Sequence, residues 1–102
     1  MVSINIEETK DGSVHINCGG HAHFCDGNDI VCAGVSAIVQ AFVGAVVNSD
    51  VEIDYSMDCG NCKAKVGKGA ERELRMLIIG IKQIELAYPN NVSLTIDMDG
   101  VV

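Results

Sequence analysis

Asp29-Ile30-Val31-Cys32-Ala33-Gly34-Val35-Ser36-Ala37-Ile38-Val39-Gln40-Ala41-Phe42-Val43-Gly44-Ala45-Val46-Val47 carries no charge after its opening aspartate, and the next acid is Asp50. The apolar run from Ile30 to Val47 is long enough for a helix of five turns. Asn28 or Asp29 supplies the side-chain oxygen that caps it, and Asn48-Ser49-Asp50 ends it. With Asp29 as the cap, Cys32 falls in the first turn, where backbone N–H groups lack intrahelical acceptors and the helix dipole favours a thiolate. The run also meets the lower length for a membrane span. However, Gly34, Ser36, Gln40 and Gly44 interrupt it and acidic residues flank it, so a buried core helix is expected, with no membrane partner.

Short alternating segments lie on both sides of this helix. Val2, Ile4 and Ile6 alternate with Ser3, Asn5 and Glu7, which reads as a half-buried strand. Lys10-Asp11-Gly12-Ser13 is a hairpin turn, and Val14, Ile16 and Cys18 form a second strand that stops at Gly19-Gly20. After the helix, Val51, Ile53, Tyr55 and Met57 alternate as a third strand. Asp58-Cys59-Gly60-Asn61 turns into a fourth, from about Cys62 to Val66. Leu74, Leu77, Ile78, Ile81, Ile84 and Tyr88 recur at helical spacing until Pro89, and Val92, Leu94 and Ile96 make a last strand. The order is ββαββαβ. Two consecutive strand pairs predict an α+β fold, with a five-stranded mixed or antiparallel sheet under two helices. The first helix is apolar on more than one face, so a homodimer is expected to cover the remainder.

Composition narrows the class. The 102 residues are 48% hydrophobic with no Trp and a single Pro, which gives one domain over residues 1–102 and no linker or repeat. Fourteen acidic residues stand against seven basic ones, a net charge of −7. Lys63, Lys65 and Lys68 are the one basic cluster and suit an exposed strand, so direct nucleic-acid binding is not expected. The segment Met1 to Glu8 lacks the basic and apolar parts of a signal peptide. Five cysteines in no disulfide framework then point to reduced thiols in the cytoplasm.

One pair of residues carries chemistry. His21 ends the second strand and Cys32 opens the helix, across a short loop that also holds His23 and Cys25. A thiol near a base and a helix N-terminus is the arrangement of an activated nucleophile. Gly20-His21-Ala22 followed by Asp29-Ile30-Val31-Cys32-Ala33-Gly34-Val35-Ser36 closely resembles the signature of the ribosomal-processing cysteine proteases of the Prp family, and the element order is similar along the whole chain. The resemblance implies a homodimeric cysteine endopeptidase without cofactor. Such an enzyme removes the N-terminal extension of large-subunit ribosomal protein L27 during ribosome assembly. It implies Cys32 as nucleophile and His21 as general base and acid, with a mobile loop between them in which Gly27 is a plausible hinge. Gly20 and Ala33 belong to the matched string, Ser36 lies one turn after Cys32, and Asp29 caps the helix. His23 offers a second base.

Two other function classes remain open. A protein of the same fold could hold a basic ribosomal protein without cutting it, acting as a non-enzymatic assembly factor. Cys59-Gly60-Asn61-Cys62 has the spacing of half a zinc site, with Cys18, Cys25, His15 and His23 as candidate further ligands. Turn cysteines without a metal are the expected reading of that pair.

Overall fold

Val2–Glu8 (β1) and Val14–Gly19 (β2) form the first hairpin of a computed structural model that describes residues 1–20, 30–58 and 61–98. Ile6 pairs with Ile16 and Ile4 with Cys18 across it, so the apolar sets of both strands share one face. At its turn the Asp11 carboxylate accepts hydrogen bonds from the Ser13 N–H at 3.0 Å and the Ser13 hydroxyl at 2.7 Å, and from the Thr9 hydroxyl. These bonds hold the exposed Asp11 carboxyl well below the usual carboxylate range.

Helix α1, Ile30–Val47, crosses from β2 to Ile53–Asp58 (β3), which pairs with Asn61–Val66 (β4). Helix α2, Glu71–Ala87, then leads to Val92–Asp97 (β5). The strand order is β3-β4-β2-β1-β5. Only the β1–β5 pair is parallel, as the crossover through α2 requires, so the sheet is mixed. The single-layer sheet with two helices is the α+β architecture expected from the alternation of periods.

Both helices lie on one face. Beneath them are Val2, Ile4, Ile6, Val14, Ile16, Ala64, Val66 and Val92, all buried. From above come Val31, Val35, Val39, Phe42, Val43 and Val46 of α1, with Leu74, Leu77, Ile78 and Ile81 of α2. Each Val, Ile, Leu or Phe side chain among them contributes about 1.5–3 kcal/mol on leaving water. The helices run antiparallel where they touch, because Gly34 faces Ile84 and Gly80 faces Ile38. The Glu85 carboxylate accepts the Leu94 N–H at 2.9 Å, which ties α2 to the edge strand β5. The opposite face carries Asn5, Asn17, Lys63, Lys65, Ser56 and Thr95 and is exposed.

Two sequence expectations need correction. The third strand begins at Ile53 and not at Val51, because Ser49 organises a turn there. Its hydroxyl donates to the Val46 carbonyl at 2.7 Å and accepts the Val51 N–H at 3.1 Å. Helix α1 is also not buried all round. A third of its residues are buried, since the sheet has one covered face and α2 flanks only one side of the helix.

Candidate active site

Cys32 is the third residue of α1 and is half-buried. Its Sγ lies 3.9 Å from the carbonyl oxygen of Gly20, the residue just past the end of β2. Gly20 holds a φ of +93°, a region that L side chains rarely adopt, and a Cβ there would strike the Met1 carbonyl oxygen. Glycine is therefore required where β2 passes beside β1 and presents its last carbonyl to the thiol.

Cys32 lines a cavity of about 110 Å³ between α1 and the β2–β4 part of the sheet. Val2, Val35, Val39 and Met57 form its apolar walls, and Ser36, Gln40 and Asn61 its polar ones. Ser36 is one turn after Cys32 as the sequence suggests, and its hydroxyl accepts a hydrogen bond from Gln40 Nε2 at 2.8 Å. Ala33 is exposed on α1. A larger cavity of about 530 Å³ opens at the other end of the sheet, around Phe42, Leu74 and Ile78. It has no thiol, hydroxyl or imidazole in its lining, whereas the small cavity holds Cys32.

Cys18 and Cys62 complete the small cavity. They sit directly opposite each other in the β2–β4 register and point toward the helices. Burial, with the Cys62 and Cys32 sulfurs nearby, pushes the Cys18 thiol up to about 11. Burial also raises the Cys62 thiol. Cys62 thus belongs to the core and not to a turn. Among the described residues no group of three or more His, Cys, Asp or Glu is placed to hold a metal ion. His21, Asp29 and Gly27, with His23, Cys25 and Cys59, lie outside the described residues.

Residues 1–93 match the family model described as cysteine protease Prp. The chain belongs to this family. It is a cysteine protease, a peptide-bond hydrolase, and that decides against the non-enzymatic reading. The ribosomal processing cysteine protease Prp of Bacillus subtilis is 29% identical over 108 aligned positions, covering 93% of this chain and 96% of that protein. Two crystal structures of the essential ribosomal processing protease Prp from S. aureus share the fold. The complex with a covalently linked product peptide has a TM-score of 0.83 at 26% identity, covering 95% of this chain and 100% of that chain. The complex with a substrate peptide has a TM-score of 0.77 at 25% identity, with the same coverage.

Of the site residues expected from the sequence, the structure brings Cys32 and Ser36 to one cavity and Gly20 to the thiol. Gln40, Met57 and Cys18 were not expected there. Gln40 was within reach of sequence reading, since it lies two turns after Cys32 and four residues after Ser36. The β2–β4 pairing that delivers Cys18 and Cys62 has no local signal.

Proposed function

We propose that this chain is a ribosomal-processing endopeptidase that removes the N-terminal extension of large-subunit ribosomal protein L27 during ribosome assembly. Cys32 is the nucleophile and His21 the general base and acid. The observation that carries this reading is the Cys32 thiol in the first turn of α1, lining a small apolar-walled cavity beside Gly20, to which His21 is bonded.

The chemistry follows from those groups and needs no cofactor. His21 takes the Cys32 proton, and the thiolate attacks the scissile carbonyl carbon. The backbone N–H groups of the first turn of α1 and the positive end of its dipole stabilise the oxyanion. His21 then protonates the leaving amine, and water hydrolyses the thioester through the same base. Asp29 caps the helix, and Gly27 is the hinge of the loop that closes over the peptide. Val35 and Val39 take an apolar side chain of the substrate. The net charge of −7 favours approach by a basic ribosomal protein.

The enzyme acts as a homodimer in the cytoplasm, where its substrate is assembled. Tyr55 and Met57 are 47% and 40% exposed although they are on the helix side of edge strand β3. Beside them α1 leaves Ala33, Ala37 and Ala41 uncovered. A second copy that covers this surface removes an apolar patch from water. Light scattering on the eluting protein tests this, with a monomeric mass as the opposing result.

The substrate reading is tested with a peptide spanning the extension and first residues of the host ribosomal protein. A single cut by wild type and none by Cys32→Ala is the expected result. An intact peptide after incubation with wild type would overturn it.

A further inference from the structure

Three thiols share the small cavity, and peptide cleavage uses only one of them. Cys32 sits on α1, while Cys18 on β2 and Cys62 on β4 face it from the sheet. The Gly20 carbonyl next to Cys32 Sγ lies on the same chain segment as Cys18, two residues on. Cys18 and Cys32 line one cavity of about 110 Å³, and the Cys32 sulfur lies close enough to the Cys18 thiol to raise it. Cys18 and Cys32 are both partly open to solvent, whereas Cys62 is only 7% exposed. Cys18 is thus the more open of the two sheet thiols and lies on the segment that Cys32 touches.

We propose that Cys18 is a resolving thiol for Cys32, so that peroxide switches the protease off reversibly through a Cys18–Cys32 disulfide. The proposal rests on Cys32 as the reactive thiol of the preceding reading. Hydrogen peroxide is the oxidant. The Cys32 thiolate attacks one peroxide oxygen, the O–O bond breaks, and with one proton the products are Cys32 sulfenic acid and water. The Cys18 sulfur then attacks the sulfenic sulfur. The S–O bond breaks, the Cys18 proton leaves with the hydroxide as a second water, and the disulfide forms. An external dithiol returns two electrons and two protons and regenerates both thiols. Burial keeps Cys18 protonated at neutral pH, with its thiol pushed up to about 11. It is therefore a poor first target for peroxide, which reacts with thiolates. A disulfide in this place consumes the nucleophile and closes the cavity at the same time.

The experiment treats reduced wild type and Cys18→Ser with excess hydrogen peroxide, blocks remaining thiols with N-ethylmaleimide and maps cysteine peptides by mass spectrometry. A second portion is returned to dithiothreitol, and recovered peptide cleavage is expressed relative to each protein's own reduced activity. Wild type is expected to yield a Cys18–Cys32 peptide pair, to lose cleavage and to recover it fully. Cys18→Ser is expected to accumulate Cys32 sulfinic acid and not to recover. Bonding of Cys32 to Cys25, Cys59 or Cys62, a Cys18–Cys62 bond with Cys32 still alkylated, or full recovery of Cys18→Ser would each overturn the proposal. The peptide map is read without any cleavage assay, so absence of cleavage in reduced wild type would contradict the protease reading and leave this test intact.

Discussion

The Sγ of Cys32 and the carbonyl oxygen of Gly20 lie 3.9 Å apart, joining the first turn of α1 to the end of β2. That contact depends on a backbone that only glycine adopts comfortably, at φ +93° and against the Met1 carbonyl. Gly20→Ala is expected to destabilise the fold by about 1–3 kcal/mol from backbone strain alone. For a domain of this size each kcal/mol lowers Tm by roughly 4–8 °C. Peptide cleavage is expected to fall with it, since the thiol loses its neighbour. Thermal denaturation checks the first effect, and an unchanged Tm would show that the segment relaxes freely.

Gln40 donates to Ser36 along the cavity wall and is exposed to solvent. Gln40→Ala is expected to lower kcat/KM by about tenfold, the loss of one hydrogen bond's worth of orientation, with Tm within about 0.5 kcal/mol of wild type. Steady-state kinetics beside a melting curve separates the two. A fall in stability with kinetics intact would reassign Gln40 to the scaffold.

Asp11 gives the hairpin a pH dependence with a defined sign. Its carboxyl has an ordinary value of 3.8 and is lowered in the folded protein by hydrogen bonds from Ser13 and Thr9. The folded state therefore binds this proton less readily than the unfolded one. The stabilisation is fully present above pH 3.8 and is lost as pH falls from there toward the folded value. Wild type is expected to melt above Asp11→Asn at neutral pH, and the gap is expected to narrow on acidification below pH 3.8. A gap independent of pH would point to the turn's geometry and not to its charge.

The helix pair is set by Gly80. A Cβ at this position would lie 3.1 Å from Ile38 Cδ1 and 3.3 Å from Ile38 Cγ2, tighter than ordinary contact. Gly80→Val is expected to push α1 from α2 at a cost of about 1–3 kcal/mol, read by urea denaturation. Because α1 also carries Cys32, six residues before Ile38, cleavage is expected to fall further than stability alone explains. Full activity would mean that the helix shifts without carrying its first turn.

Much of this was legible in the sequence because it is local. The strict alternation of Val2, Ile4 and Ile6, and the helical spacing of Leu74, Leu77, Ile78 and Ile81, mark β1 and α2 and their buried faces. Cys32 stood out by its place after Asp29, and the surrounding string pointed to the family that residues 1–93 then matched. What stayed hidden is non-local. The strand order places β3 at an edge, so Tyr55 and Met57, with the alternation of core residues, are left open. Cys18 and Cys62 face each other only because β2 pairs with β4, forty-four residues apart along the chain. The turn at Ser49 replaced the expected strand start at Val51 through a side-chain hydrogen bond that no periodicity reports.

The most direct test of Cys32 as the nucleophile is intact-protein mass spectrometry of the enzyme quenched in acid during turnover of the extension peptide, followed by peptide mapping. The expected result is a covalent adduct equal in mass to the N-terminal fragment of the substrate less one water, located on Cys32 and absent from Cys32→Ala. An adduct on another residue, or cleavage that persists in Cys32→Ala, would contradict it.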